Sequence, residues 1–148
     1  MHLFNHRRRA ANPLSALSLA AALSLCLVSA ACGGTVEVAG KGDPQLYVVK
    51  VHADWCGSCK ALVPVLDQVR TAVADKPVLF VTLDLTDDGK TEHSRLLAAA
   101  LGIEQHLKAN NKTGLVLLVS GKDHSLVETL TKANPAEEMV AKIKGHLN

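Results

Sequence analysis

The stretch Ala53-Asp54-Trp55-Cys56-Gly57-Ser58-Cys59-Lys60 stands between two different hydrophobic patterns. Before it, residues 46–51 are apolar except for Lys50, which predicts a buried β-strand. After it, apolar residues recur at spacings of three and four from Leu62 to Val73, which predicts an amphipathic helix. The two cysteines therefore fall where a strand passes into a helix.

A pair of cysteines three residues apart at the start of a helix suits reversible disulfide chemistry. The free backbone N–H groups and the positive end of the helix dipole favour a thiolate at Cys56. At pH 7, lowering a thiol pKa from ~8.5 to about 7 raises the ionised fraction roughly 16-fold, but weaker nucleophilicity cancels about 4- to 6-fold of that gain. The exposure of Cys56, its quality as a leaving group and the nearness of Cys59 must therefore contribute more than the pKa.

The remaining hydrophobic runs and turn signals predict the element order β, α, β, α, β, β, α. Asn134 and Pro135 mark the start of the last helix, as its N-cap and its first helical residue. Two strands joined through a helix, followed by a hairpin, predict an α/β fold with a central mixed sheet and helices on both faces. The predicted strands are 46–51, 78–85, 115–119 and 125–130, and the later helices are 91–101, a short helix at 104–109 and one from Pro135.

These residues resemble the thioredoxin family over nearly all of Leu46 to Asn148. Ala53 to Lys60 is similar to the active-site segment of that family, and Pro64 stands where its active-site helix usually kinks. The segment Leu101-Gly102-Ile103 resembles a pattern late in the third helix of the family. The resemblance implies a thioredoxin-like fold and a thiol–disulfide oxidoreductase.

The same resemblance implies the roles of individual residues. Cys56 is the attacking cysteine and Cys59 the resolving cysteine, and their redox-active disulfide is the only cofactor implied. Trp55, Gly57 and Ser58 flank this disulfide and are expected to bind substrate. The implied partners are protein dithiols and disulfides.

Two residues depart from the pattern of the family. Thioredoxins usually carry a cis-proline before the strand that corresponds to Leu115–Val119, and counting back from Gly121 assigns this substrate-binding place to Thr113. Lys50 stands where many thioredoxins have a buried acid that moves the proton of the resolving cysteine. We expect Lys50 to tune the thiol pKa of Cys59 by stabilising its thiolate. The alternative is that Lys50 extends to solvent or pairs with an acid such as Asp84.

The first 31 residues have the pattern of a secretory signal peptide. Arg7, Arg8 and Arg9 precede the uncharged 18-residue stretch Leu14–Ala31, which is at the short limit for a membrane-spanning helix. Cleavage after Ala30 or Ala31 would release a soluble protein, whereas lipidation of Cys32 would make a membrane-anchored bacterial lipoprotein. The small residues around Cys32 favour the lipoprotein, with 32–44 as a tether and 45–148 as the thioredoxin-like domain. Within the tether, only Val36–Val38 offers a possible extra strand.

Export determines the expected compartment and partners. The protein is predicted to be periplasmic or anchored to the membrane through Cys32, and in such an oxidising compartment a membrane thiol reductant would recharge it. Arg7 to Arg9 hold three of the 16 basic residues, so from Cys32 onward 13 bases face 14 acids and the formal charge is about −1. A nucleic-acid partner is not expected, because phosphate binding needs a concentrated basic face.

A second functional class uses the same two thiols to bind metal. Cys56 and Cys59, with His52 as a third candidate ligand, could hold Cu(I) in a metallochaperone. Zinc is disfavoured, because one Cys-x-x-Cys pair supplies only half of a four-ligand site and no second pair follows. We therefore expect no metal in the resting site.

Overall fold

The computed structural model describes residues 34–40 and 42–147, so the predicted signal peptide and Cys32 lie outside the described residues. None of the described helices combines the length and the apolar character that crossing a bilayer requires. The elements are β1 (Gly34–Ala39), β2 (Leu46–His52), α1 (Gly57–Ala72), β3 (Val78–Asp84), α2 (Asp88–Ala100), α3 (Glu104–Ala109), β4 (Leu115–Ser120), β5 (Leu126–Thr131) and α4 (Ala136–Gly145).

The five strands form one mixed sheet in the order β1-β3-β2-β4-β5. The central strands β2 and β3 are parallel, and the other three pairings are antiparallel. Apolar side chains alternate between the two faces of β2: Val48 packs in the core under α1 and α4, and Val49 in the core under α2 and α3. The predicted α/β fold, with a mixed sheet between two helical layers, is confirmed.

Strand β1 corrects the predicted boundary between tether and domain. Gly34–Ala39 lies in the predicted tether, where only Val36–Val38 offered a possible strand, and it pairs with β3 along its whole length. The sequence of this edge strand has no continuous apolar run, because Thr35 and Glu37 alternate with Val36 and Val38. In the structure, Val36 is 43% and Val38 is 62% exposed. Glu37 is also tied to the domain, through an ion pair with Arg70 at 2.9 Å. The folded domain therefore includes residues from 34 onward and does not begin at residue 45.

Two helices begin at different residues from those predicted, and hydrogen bonds of nearby side chains explain both differences. Helix α2 starts at Asp88 because the carboxylate of Asp87 accepts a hydrogen bond from the backbone N–H of Lys90 at 2.8 Å. In α4, the N-cap is Pro135, one residue after the predicted Asn134. Asn134 instead accepts a hydrogen bond from the backbone N–H of Thr131, which closes the loop before the helix.

Candidate active site

The two cysteines of the motif form a disulfide at the start of α1, with their Cα atoms 5.2 Å apart. Cys56 is the N-cap of the helix, and its sulfur accepts a hydrogen bond from the backbone N–H of Cys59 at 3.1 Å. Cys59 is fully buried, whereas Cys56 keeps 8% of its surface exposed. An attacking thiol from outside can therefore reach Cys56 but not Cys59.

The inner sulfur of the pair lies against the end of the central strand. The Cys59 sulfur is 3.7 Å from the carbonyl oxygen of Val51, and Ala53 packs beside both cysteines. This carbonyl is therefore in position to accept a hydrogen bond from the Cys59 S–H group once the disulfide is opened.

The backbone of Gly114 lies against the disulfide, one residue after Thr113, to which the count assigned this place. A Cβ added to Gly114 would lie 2.8 Å from the Cβ of Ser58 and 3.4 Å from the sulfur of Cys56. Gly114 has φ +83° and donates its backbone N–H to the carbonyl of Val51 at 2.8 Å. Among the described residues no peptide bond is cis, so Thr113 and Gly114 form this loop in the trans configuration.

Several polar groups hold the loop of residues 53–55 before the disulfide, and most of them were not predicted from the sequence. The indole N–H of the exposed Trp55 donates to the carbonyl of Thr86 at 3.1 Å, and the backbone N–H of Asp54 donates to the Thr86 hydroxyl at 3.0 Å. Lys90 lies 3.2 Å from Asp54 and 3.3 Å from Asp84. These contacts join the loop to the β3–α2 connection, which is distant in sequence and so leaves no local signal.

His52 and two carboxylates form the one group in the described part of the chain with the spacing of metal ligands. Ligand atoms of His52, Asp54 and Asp84 lie within 4.8 Å of one another. Hydrogen bonds from His52, first, and then from Lys90 hold the pKa of Asp54 below its usual value. Neither cysteine belongs to this group, and His52 points its Nε2 at Asp54, 3.2 Å away. The copper alternative, with His52 as a third ligand beside the thiols, is therefore not favoured.

Lys50 lies half-buried in β2, on the face that α1 covers, because it alternates with Val49 and Val51 of the opposite face. Burial lowers the pKa of Lys50 below its ordinary value, and the positive charge of Arg70 lowers it further. Asp84, the acid named in the alternative for Lys50, forms its ion pair with Lys90, and no ion pair joins Lys50 to a carboxylate among the described residues. The more distant charges of Asp67 and Asp84 raise the pKa of Lys50 and offset part of the lowering. Within this part of the chain, Lys50 is therefore a partly buried cation without a direct counter-ion.

Comparison with known proteins finds thioredoxins similar to the part of the chain that holds the two cysteines. The family model named Thioredoxin matches residues 37–98, which include both cysteines. A thioredoxin of Echinococcus granulosus is 44% identical over 55 residues, which make up 37% of this chain and 49% of that protein. Thioredoxin-T of Drosophila melanogaster is 34% identical over 53 residues, 35% of this chain and 34% of that protein. The chain thus matches half or less of the length of these curated relatives.

A solved structure also resembles the chain. A mutant thioredoxin of Halobacterium salinarum is 18% identical to it. The alignment covers 75% of this chain and 90% of that one, with a TM-score of 0.46.

Replacing Gly114 by alanine tests its close approach to the disulfide. We expect Gly114→Ala to lower the free energy of unfolding of the oxidised protein by about 1–3 kcal/mol, because a positive φ and a short Cβ contact both oppose the side chain. Urea unfolding measures this change. Gly57→Ala is the matched control, since a Cβ at Gly57 meets nothing within 4 Å. Equal losses in the two variants would contradict the assigned packing.

Proposed function

We propose that this chain is a thioredoxin-like thiol–disulfide oxidoreductase acting on protein disulfides, because the family model Thioredoxin matches residues 37–98 and a thioredoxin is 44% identical to it over 55 residues. The observation that carries the proposal is the difference between the two sulfurs. Cys56 reaches the surface at a helix N-terminus, and Cys59 is fully buried behind it. A partner thiol or disulfide can thus contact the Cys56 sulfur but not the Cys59 sulfur.

The different exposure of the two sulfurs supports one order of the thiol-exchange steps. In the reducing direction, the thiolate of Cys56 attacks a substrate disulfide, forms a mixed disulfide and releases one substrate thiolate. The thiol of Cys59 then loses its proton, attacks the Cys56 sulfur and expels the second substrate thiolate. The substrate gains two electrons and two protons, and the Cys56–Cys59 disulfide is restored. The hydrogen bond from the Cys59 backbone N–H stabilises negative charge on Cys56 whenever this sulfur attacks or leaves.

The surface around Cys56 offers the substrate a place to bind. Trp55 is 67% exposed and is held by its hydrogen bond to Thr86, so it presents a fixed aromatic face. Gly57 is exposed beside it at the first position of α1, and Ser58 is half-buried. Thr113 stays in the proposed binding surface as the residue before Gly114. Because Gly114 has no side chain, a substrate backbone can approach the disulfide closely on this side.

Separate replacement of the two cysteines tests their order of action. Cys56→Ser is expected to reduce the rate of insulin reduction by dithiothreitol to the background rate, because no attacking sulfur remains. Cys59→Ser is expected to accumulate a mixed disulfide at Cys56, because nothing resolves it; mass spectrometry of the unreduced protein detects this species. Cys32→Ser serves as the control and should keep the full rate. Turnover by Cys56→Ser would contradict the proposal.

Lys50 is proposed to stabilise the thiolate of Cys59. It occupies the sheet face covered by α1, and the next residue, Val51, has its carbonyl oxygen 3.7 Å from the Cys59 sulfur. A cation at this depth favours the anion formed when the resolving thiol loses its proton. It also favours the dithiol form over the disulfide. This role separates the chain from relatives with a buried acid at the same strand position.

The variant Lys50→Met tests this role. If the cation lowers the Cys59 pKa by one unit, its removal raises that pKa by one unit. Removing the cation also shifts the thiol–disulfide equilibrium towards the disulfide, and each tenfold shift in that direction lowers the reduction potential by about 30 mV. Alkylation rates measured against pH report the thiol pKa, and glutathione buffers report the potential. Lys122→Met, in the exposed β4–β5 turn, is the control. Unchanged thiol pKa values in Lys50→Met would reject the role.

The same substitution is expected to stabilise the oxidised fold at neutral pH. The folded-state pKa of Lys50 is below its ordinary value of 10.5, so carrying this charge costs stability at every pH below the folded pKa. The cost disappears as the pH rises from the folded pKa towards 10.5. Urea unfolding should therefore show Lys50→Met as more stable than the parent at pH 7, with a difference that shrinks at higher pH. A difference independent of pH would contradict this.

The location forms part of the proposal. The arginines and the apolar stretch of residues 1–31 support export, and the small residues around Cys32 support lipidation there more than cleavage after Ala30 or Ala31. An exported oxidoreductase needs a source of electrons at the membrane, because the surrounding compartment is oxidising. The proposed partners are thus a membrane thiol reductant and the disulfides of exported proteins.

A further inference from the structure

We infer that lipidation of Cys32 would hold the disulfide end of the sheet against the membrane surface, so that its reductant is a dithiol carried by an integral membrane protein. The inference rests on the lipidation proposed above. The register of the sheet determines which end of the domain lies next to the anchored residue.

The strand register places the beginning of the domain beside the active site. Strand β1 is antiparallel to β3, and its first residue, Gly34, pairs with Leu83. Strand β2 is parallel to β3, and Val51 pairs with the same Leu83. Gly34 and Val51 therefore share one row of the sheet, at the end from which β2 runs on to Cys56. A β1 strand of the opposite direction would have started at the other end.

The distance from Cys32 to the disulfide has a short upper limit. Gly34 and Val51 are two strand spacings apart, about 10 Å. Whatever conformation Cys32 and Gly33 adopt, two residues span at most about 7 Å. The Cys59 sulfur lies a further 3.7 Å from the Val51 carbonyl oxygen. The sum of these distances puts the disulfide within roughly 25 Å of a lipidated Cys32. Only Gly33 lies between the lipidated residue and the first residue of β1, so the domain would stay close to the bilayer.

Two exposed apolar side chains at this end suit the interfacial region of a bilayer, where the exposed carboxylate of Asp54 beside Trp55 can stay in water. Trp55 is 67% exposed beside the disulfide, and tryptophan is enriched where protein meets the interfacial region of a bilayer. Val36, two residues into β1, is 43% exposed. The formal charge of about −1 from Cys32 onward provides no strong attraction to anionic lipid, so the acyl chains would supply the binding. The domain would then be held in place mainly by its short connection.

This placement limits which reductant can reach the disulfide. A dithiol at the membrane surface meets Cys56 first: one partner thiolate attacks the Cys56 sulfur, and Cys59 leaves as a thiolate that takes a proton. The second partner thiol then attacks the mixed disulfide, releasing Cys56 as a thiol and leaving the partner oxidised to a disulfide. Two electrons and two protons pass to the Cys56–Cys59 pair. A membrane-held donor gains from the high local concentration that the short connection creates.

The experiment uses the full chain, expressed in bacteria, processed and reconstituted in phosphatidylcholine vesicles. Mass spectrometry first measures lipidation at Cys32. Trp55 is the single tryptophan, so vesicles with nitroxide groups near the lipid headgroups report its distance from the membrane by loss of emission. A Gly/Ser spacer of about 20 residues between Gly33 and Gly34, with a mean span of about 25 Å, frees the domain and should restore the emission.

A tryptophan at the opposite end of the sheet provides the matched control. Lys122 lies in the β4–β5 turn, and the nearby Ser120 pairs with Leu46 at the start of β2. In the double variant Trp55→Phe, Lys122→Trp, the reporter should keep its emission in the same vesicles. Equal loss of emission at both ends would contradict the orientation.

A vesicle lipid with a dithiol attached to its headgroup tests the electron donor. It should reduce the Cys56–Cys59 disulfide of the parent several-fold faster than that of the spacer variant, whereas dithiothreitol in solution should reduce both at one rate. If Cys32 is lipidated but neither emission nor reduction depends on the spacer, the orientation is wrong and the anchor stands. If Cys32 carries no lipid, both the anchor and this inference fail, while insulin reduction still tests the oxidoreductase separately.

Discussion

The hydrogen bond from the backbone N–H of Cys59 to the sulfur of Cys56 is the interaction on which the site depends. It exists because α1 begins one residue after Cys56, where the first N–H groups of a helix have no partner within the helix. The parallel pair β2 and β3 positions this start, since β2 leads into the loop and the β3–α2 connection supports it from the other side. A sulfur thus replaces the usual N-cap oxygen and gains reactivity from a structural requirement.

Much of the fold follows from local sequence patterns. The apolar strand before Trp55 and the three-and-four spacing after Cys59 were sufficient to predict the strand, the helix and the place of the cysteines between them. Edge strand β1 was assigned to a tether because its exposed valines do not form a buried run, and its pairing with β3 depends on residues far along the chain. The other edge strand, β5, was predicted because a turn signal joins it to β4 as a hairpin, whereas no such signal joins β1 to its partner β3.

The parts of the site that the sequence did not predict are contacts between distant segments. Counting residues placed Thr113 beside the disulfide, and the close approach that the structure shows is that of the next residue, Gly114, whose φ is positive. The pairing of Asp84 with Lys90, and not with Lys50, likewise depends on α2 starting at Asp88. Both outcomes depend on backbone geometry that no short motif records. The second leaves the half-buried Lys50 as a cation on the sheet face that supports Cys59, without the carboxylate partner that the sequence suggested.

The central claim is that Cys56 and Cys59 exchange reversibly between a disulfide and two thiols. The most direct measurement equilibrates the full chain in glutathione buffers and counts the alkylated cysteines by mass spectrometry, starting from both the oxidised and the reduced protein. The account predicts one two-electron transition, identical from both directions, with a midpoint between about −270 and −120 mV, the range of thioredoxin-like oxidoreductases. A pair that stays bonded, or stays open, throughout this range would contradict it.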